Sequence, residues 1–195
     1  MFEKTRNLIQ ERLLENSLPS LSVAVAHRGE AVWEEAFGLA DRERLAPATP
    51  DTMYSLASIS KPMTATGLMV LVERGLIDLD TPINAYLGDT PLVGRLAGAS
   101  AATVRSVANH SSGLPMHFQF FYADEQRRRP AMSETIRRYG NLVTEPGERY
   151  QYSNLGYGVL DYLIERVSGK RFADFMREEV FLPLGMFHTS VDIGP

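Results

Sequence analysis

The sequence contains no cysteine, which excludes disulfide bonds, thiol catalysis and thiolate metal sites. It also has no apolar run as long as a membrane span. Residues 1–17 have the pattern of a charged amphipathic helix and lack the apolar centre of a signal peptide. We therefore expect a cytoplasmic protein, or a periplasmic or secreted one from which a signal peptide has been removed.

Positive charge is also scarce, because the net charge is -4 and the densest cationic run is three arginines at residues 127–129. Such a short run is typical of a solvated loop or helix end, so nucleic acid is not an expected partner. No two histidines have the helical spacing of metal ligands, and no glycine-rich phosphate loop is present. We predict no metal and no cofactor, and we assign no catalytic role to His27, His110 or His188.

The composition, 44% hydrophobic and 23% charged, is that of an ordinary globular protein. Apolar alternation predicts a β-hairpin over residues 21–27 and 31–37, with Ala31, Trp33 and Phe37 on one face. Residues 78–87 have the pattern of a loop. Helical spacing predicts helices over residues 1–17, 58–75 (buried on most sides), 103–109, 133–139 (capped by Ser133), 155–167 and 172–181. A lone hairpin leaves its strand edges unpaired, so the sequence predicts an incomplete sheet.

Ser58 and Lys61 form an S-x-x-K pattern where a loop gives way to the long helix. A helix N-terminus offers backbone N–H groups and the positive end of the helix dipole, which stabilise an oxyanion. Residues three apart share a helix face, so the Lys61 amine is a candidate acceptor of the Ser58 proton. The pattern alone is common by chance, and it is also what a serine that caps the helix and a solvated first-turn lysine would give.

Tyr152-Ser153-Asn154 is a second candidate element, placed between a Pro-Gly turn and a helix. A tyrosine phenol can shuttle a proton, and an asparagine amide can hold a substrate carbonyl. The alternative is structural, with Asn154 as the helix N-cap and Tyr152 as a packed aromatic.

Taken in order, these segments resemble the penicillin-recognising serine hydrolases, a family that includes class C β-lactamases, esterases and D,D-peptidases. The resemblance extends from the hairpin to Met186. The matching segments are SISKP at residues 58–62, NHSSGLP at 109–115, PG at 146–147, YSNLGY at 152–157, IERVSG at 164–169 and PLGM at 183–186.

The resemblance implies an α+β, β-lactamase/transpeptidase-like fold, in which a helical subdomain packs on an antiparallel sheet. It implies that Ser58 is the acylated nucleophile, that Lys61 and Tyr152 transfer its proton, and that Asn154 contacts the acyl side of the substrate. His117 stands where many class C β-lactamases carry a substrate-contacting glutamine, so it is a further substrate-binding candidate. This departure argues against a dedicated β-lactamase.

The family's third motif, K-T-G or H-x-G on a later strand, is not found. That strand would supply the second oxyanion donor and would pair with the open sheet edge. We therefore expect residues 1–195 to be one incomplete domain, the N-terminal portion of a longer enzyme. Within it we expect a helix and hairpin over residues 2–40 and a mostly helical subdomain over residues 51–190.

The resulting hypothesis is a serine hydrolase that cleaves small ester, amide or β-lactam substrates through an acyl-enzyme. A carboxylesterase or β-lactamase-like activity is favoured, with a D-Ala-D-Ala-type peptidase or amidase as the main alternative. The competing class is a catalytically impaired binding module, which the missing third motif favours and the intact Ser58, Lys61, Tyr152 and Asn154 oppose. The sequence gives no indication of the oligomeric state.

Overall fold

The structure, a computed structural model, describes residues 2–94, 101–119, 121 and 128–192. The chain divides into two compact units, Met1–Ser55 and Leu56–Pro195. The predicted limits of one domain over residues 1–195, with parts at 2–40 and 51–190, stay predictions.

The first unit contains the predicted helix and hairpin. Helix α1 spans Glu3–Glu15, and strands β1 (Ser20–His27) and β2 (Glu30–Asp41) pair antiparallel. A third strand, β3 (Ala46–Pro47), which the sequence pattern did not indicate, pairs with β2 and gives the order β1-β2-β3. The small core of this unit is formed by Leu13 of α1 with Trp33 and Phe37 of β2. Burial of these side chains stabilises the hairpin against its helix.

Ala31 departs from the prediction, because it is exposed while Trp33 and Phe37 are buried. The strand register shifts between Val25 and Ala26, which pair with Trp33 and Ala31 respectively. An extra residue in one strand interrupts the two-residue alternation of side chains. The bulge therefore removes Ala31 from the face that Trp33 occupies.

The second unit is mainly helical. A 3₁₀ turn, Ala57–Ile59, leads directly into the long helix α2 (Ser60–Glu73). Two short parallel strands, β4 (Val93–Gly94) and β5 (Asn141–Leu142), pair with each other. The remaining elements, in chain order, are α2 (Ser60–Glu73), α3 (Asn84–Leu87), β4 (Val93–Gly94), α4 (Val104–Ala108), α5 (Met132–Tyr139), β5 (Asn141–Leu142), α6 (Asn154–Ser168), α7 (Phe172–Met176) and a π-helical turn (Arg177–Phe181).

Helix α6 lies at the centre of this unit's core. Its apolar residues Val159, Leu160, Leu163 and Ile164 are fully buried. They pack with apolar side chains from the neighbouring elements, which include Leu68 and Leu71 of α2, Val104 and Val107 of α4, Ile136 of α5, and Phe175 and Met176 of α7. The packing of α2 against α6 brings the N-terminus of α2 close to the N-terminus of α6.

Three predictions for this unit are wrong in detail. Helix α2 buries one stripe, at Thr64, Gly67, Leu68 and Leu71, and leaves Met69 47% exposed. The stripe has the period of one helix face, which overall apolarity does not reveal. Residues 78–87, expected to be a loop, contain α3. Helix α5 starts one residue before Ser133, and Glu134 accepts the Ala131 N–H at 3.1 Å where the serine cap was expected.

Among the described residues, no helix combines the length and the apolar character needed to cross a membrane.

Candidate active site

The candidate nucleophile, Ser58, lies in the 3₁₀ turn that leads into α2, and its side chain is exposed. The residue before it, Ala57, has a positive φ of 45°. A left-handed conformation costs a non-glycine residue about 1 kcal/mol and is common at functional sites. The backbone strain lies directly beside Ser58, and no sequence signal indicated it.

Lys61 lies one helical turn after Ser58, as predicted. Its ammonium donates a hydrogen bond to Ser58 Oγ at 3.1 Å and another to Asn154 Oδ1 at 2.7 Å. The ammonium also lies over the rings of Tyr152 and Tyr157, 4.6 Å and 5.6 Å from their centroids. Lys61 is thus placed between the nucleophile helix and the Tyr152 loop.

The Tyr152 hydroxyl donates a hydrogen bond to Ser58 Oγ at 2.6 Å, across 94 positions of sequence. Ser58 Oγ therefore accepts hydrogen bonds from both Lys61 and Tyr152. The adjacent Lys61 ammonium, followed by the hydrogen bond to Ser58, holds the pKa of the Tyr152 phenol below its ordinary value. This shift favours the phenolate, which is the form that can accept a proton.

Asn154 is the first residue of α6, and its side chain turns to Lys61 instead of capping the helix. The N-cap is Ser153, whose Oγ accepts the Gly156 N–H at 2.9 Å and donates to the Pro115 carbonyl at 2.8 Å. The structural alternative for Asn154 is therefore wrong. A serine one residue before a helix is a known capping signal that sequence reasoning could have used here.

A cavity of about 400 Å³ opens beside Asn154. Its lining is largely apolar and aromatic, and includes Phe118, Phe121, Met132, Tyr139 and Leu155. His117 also lines it and stacks on Tyr139 with ring centroids 3.9 Å apart. His117 is thus half-buried at the cavity.

Of the three arginines at residues 127–129, Arg128 and Arg129 are exposed, as predicted for a solvated run. Arg128 forms an ion pair with Glu134 at 2.8 Å, and Arg129 lines the cavity. Arg127 lies outside the described residues.

The NHSSGLP segment lies next to the Tyr152 loop. Gly113 has a φ of +86°, and a Cβ there would lie 2.2 Å from the Thr144 carbonyl oxygen. The Gly113 carbonyl accepts the Val143 N–H at 2.8 Å, and the Ser111 carbonyl accepts the Gly147 N–H at 2.8 Å. Only glycine permits both this backbone conformation and the close approach of the two segments.

Asp161 lies on α6, two turns after Asn154, and its burial leads to a prediction about stability. Its Oδ1 is buried and has no hydrogen-bond partner in the described structure. Burial raises the pKa of Asp161 to about 7, with a hydrogen bond from Thr64 partly offsetting the rise. In the pH range between the ordinary carboxyl pKa and about 7, the folded chain holds a proton that the unfolded chain releases. The free energy of unfolding must therefore fall as pH rises through this range.

An Asp161→Asn variant removes this titration. We expect it to be more stable than the parent chain near pH 8, by at most about 4 kcal/mol, with the advantage shrinking towards pH 4. Urea unfolding at several pH values measures the difference. Asp174→Asn is the control, because Arg171 lowers the pKa of the partly exposed Asp174 and the linkage has the opposite sign. An advantage of Asp161→Asn that is equal at all pH values would contradict the assignment.

Comparison with known proteins places this chain in a family. The beta-lactamase family model matches residues 5–195. A penicillin-binding protein of Bacillus subtilis (strain 168) is 33% identical over 87% of this chain and 37% of its own length. Esterase EstB of Burkholderia gladioli is 33% identical over 92% of this chain and 48% of its own length. The chain thus spans less than half of either curated relative.

Among solved structures, the D-amino acid amidase from Ochrobactrum anthropi SV3 is 31% identical, with a TM-score of 0.75. The match covers 93% of this chain and 50% of the amidase chain. The family model covers nearly the whole chain, two relatives are 33% identical to it, and the chain belongs to the beta-lactamase family.

Proposed function

We propose that the protein is a serine hydrolase that cleaves ester or amide bonds through an acyl-enzyme at Ser58. One observation carries the proposal: Ser58 Oγ receives hydrogen bonds from both Lys61 and Tyr152, which lie on separate segments. A hydroxyl held between an ammonium and a phenol of lowered pKa is the arrangement that an activated serine needs.

In the proposed acylation, the Tyr152 phenolate takes the Ser58 proton while Oγ bonds to the substrate carbonyl carbon. The bond from that carbon to the leaving oxygen or nitrogen then breaks, and Tyr152 gives the proton to the leaving group. Water next attacks the acyl-Ser58 ester, passing one proton through Tyr152 to the departing Ser58 Oγ and releasing the carboxylic acid. Lys61 remains cationic throughout and stabilises the phenolate.

The cavity beside Asn154 supports substrates with an apolar acyl group. Its lining of Phe118, Met132, Tyr139 and Leu155 offers apolar contact, and Asn154 offers an amide at its edge. We favour carboxylester substrates, for which the likeness to an esterase is further support. Amide substrates are the second candidate, supported by the likeness to a D-amino acid amidase.

Covalent labelling tests the proposal. We expect a fluorophosphonate probe to add one adduct per chain, and peptide mapping to locate it on Ser58 while Ser55 and Ser60 stay unmodified. We also expect p-nitrophenyl phenylacetate to be hydrolysed faster than p-nitrophenyl acetate, since its acyl group fits the apolar cavity. An adduct on another residue, or no adduct, would refute the role of Ser58. Faster turnover of a chromogenic cephalosporin than of either ester would replace esterase with β-lactam hydrolysis.

A further inference from the structure

His110 holds the Tyr152 loop on both sides of the tyrosine. Its carbonyl accepts the Gln151 N–H at 2.7 Å, and its ring Nδ1 accepts the Ser153 N–H at 3.1 Å. The His110 ring is buried and lies 4.5 Å from the Tyr152 ring. The two backbone neighbours of Tyr152 and its ring are therefore all in contact with one residue.

The backbone of His110 is itself constrained. Its φ is +65°, in the left-handed region that non-glycine residues seldom occupy. Such a conformation persists where the surroundings over-determine it. Here the buried ring and the two hydrogen bonds to residues 151 and 153 supply that constraint.

The hydrogen bond also determines the protonation state of the ring. A backbone N–H is always a donor, so Nδ1 must carry no proton and the imidazole proton must lie on Nε2. Around the ring lie Tyr150, Tyr152 and Tyr157, and the charge of Lys61 acts on it. Burial, followed by the Lys61 charge, lowers the pKa of His110. A second ring proton would break the bond from Ser153 and add a cation near Lys61.

We propose that His110 is a positioning residue of the active site, which as a neutral imidazole fixes Tyr152 against Ser58. This inference rests on the proposed function, because the position of Tyr152 affects the reaction only if Ser58 is the nucleophile. When His110 gains a proton, the Tyr152 loop loses its bond at Ser153, and acylation of Ser58 slows. The protein then has an acid limit to its activity that originates outside the groups touching the substrate.

Four variants test the positioning role. His110→Asn keeps an acceptor close to the place of Nδ1 and tolerates the left-handed backbone, whereas His110→Ala removes the acceptor. His110→Gln carries its acceptor one bond further out, nearer the place of Nε2. His27→Asn, at an exposed strand end, is the matched control. The rate of fluorophosphonate labelling of Ser58 is measured from about pH 4.5 to 8 for each variant.

We expect labelling at pH 8 to fall at least about tenfold in His110→Ala and in His110→Gln, because the buried Ser153 N–H loses its partner. His110→Asn should restore most of the rate, and its acid limb should move to lower pH because the amide does not titrate in this range. The control should match the parent chain in rate and pH profile. Equal losses in His110→Asn and His110→Ala, or an acid limb unchanged in His110→Asn, would overturn the proposal.

A direct measurement separates this proposal from the proposed function. Nitrogen-15 NMR of the parent chain should show His110 Nδ1 unprotonated and Nε2 protonated at neutral pH, with the signal assigned from its loss in His110→Asn. A protonated Nδ1 at neutral pH would overturn the positioning role even if Ser58 labels normally. Should His110→Ala fail to fold, the His110→Asn profile and the NMR signal decide the question. Absence of labelling in the parent chain would refute the hydrolase proposal and, with it, the catalytic meaning of the His110 contact.

Discussion

Ser58→Ala is expected to abolish covalent labelling by a fluorophosphonate and to lower ester hydrolysis at least about a thousandfold. The variant removes Ser58 Oγ, which accepts hydrogen bonds from both Lys61 and Tyr152. Its fold should be retained, because Ser58 is exposed and its hydroxyl fills no packed space. Intact mass after labelling and the rate of p-nitrophenyl ester hydrolysis give the two readouts.

Ser60→Ala provides the matched control for this experiment. Ser60 lies two residues further on, is exposed like Ser58, and starts α2. We expect it to label and to turn over ester at close to the parent rate. If the two variants lose activity equally, the loss reflects damage to the start of α2, and Ser58 is not the nucleophile.

Lys61→Met is expected to lower the rate of Ser58 acylation at least about a hundredfold, because it removes the charge that stabilises the Tyr152 phenolate as general base. Methionine keeps a similar unbranched side chain and removes the charge. The variant also removes the first cause of the lowered Tyr152 pKa, so that pKa must rise towards its ordinary value. Because the phenolate then forms only at higher pH, the limb of the activity profile that rises with pH should move to higher pH.

The control for the charge change is Lys4→Met, an exposed lysine on α1. We expect no change in labelling rate or pH profile for this variant. If the rate of Lys61→Met falls but its pH profile stays where it is in the parent chain, Lys61 does not act by lowering the Tyr152 pKa. A rate unchanged by Lys61→Met would exclude Lys61 from the proposed acylation mechanism.

The sequence predicts the elements of the fold that have a strong local pattern. The hairpin, the long helix after Ser58 and the helix after Tyr152 were predicted from apolar spacing, and the structure confirms them. The prediction failed where spacing carries little signal. Strand β3 is two residues long and exists only because β2 offers an edge for it, and the bulge at Val25 changes which side of β2 faces the core.

The candidate site follows the same division. The S-x-x-K spacing predicts that Ser58 and Lys61 share a helix face, since three residues make nearly one helical turn. No spacing rule could bring Tyr152 to Ser58, because 94 positions separate them and the contact depends on how α2 packs against α6. The family resemblance implied that Tyr152 contacts Ser58, but only the structure gives the distance between them.

His110 and Asp161 show what a sequence alone leaves open. Asp161 has no sequence pattern that distinguishes it from a surface residue, and the NHSSGLP segment does not indicate that the His110 ring is buried. The fold buries the His110 ring against the Tyr152 loop and buries an oxygen of Asp161, and both groups shift in pKa as a result. The sequence by itself determined the helices, the hairpin and the Ser58–Lys61 pair, because those depend on residues a few positions apart. Tertiary packing decided which distant groups contact Ser58 and which titratable groups are buried away from solvent. Both depend on the path of the whole chain.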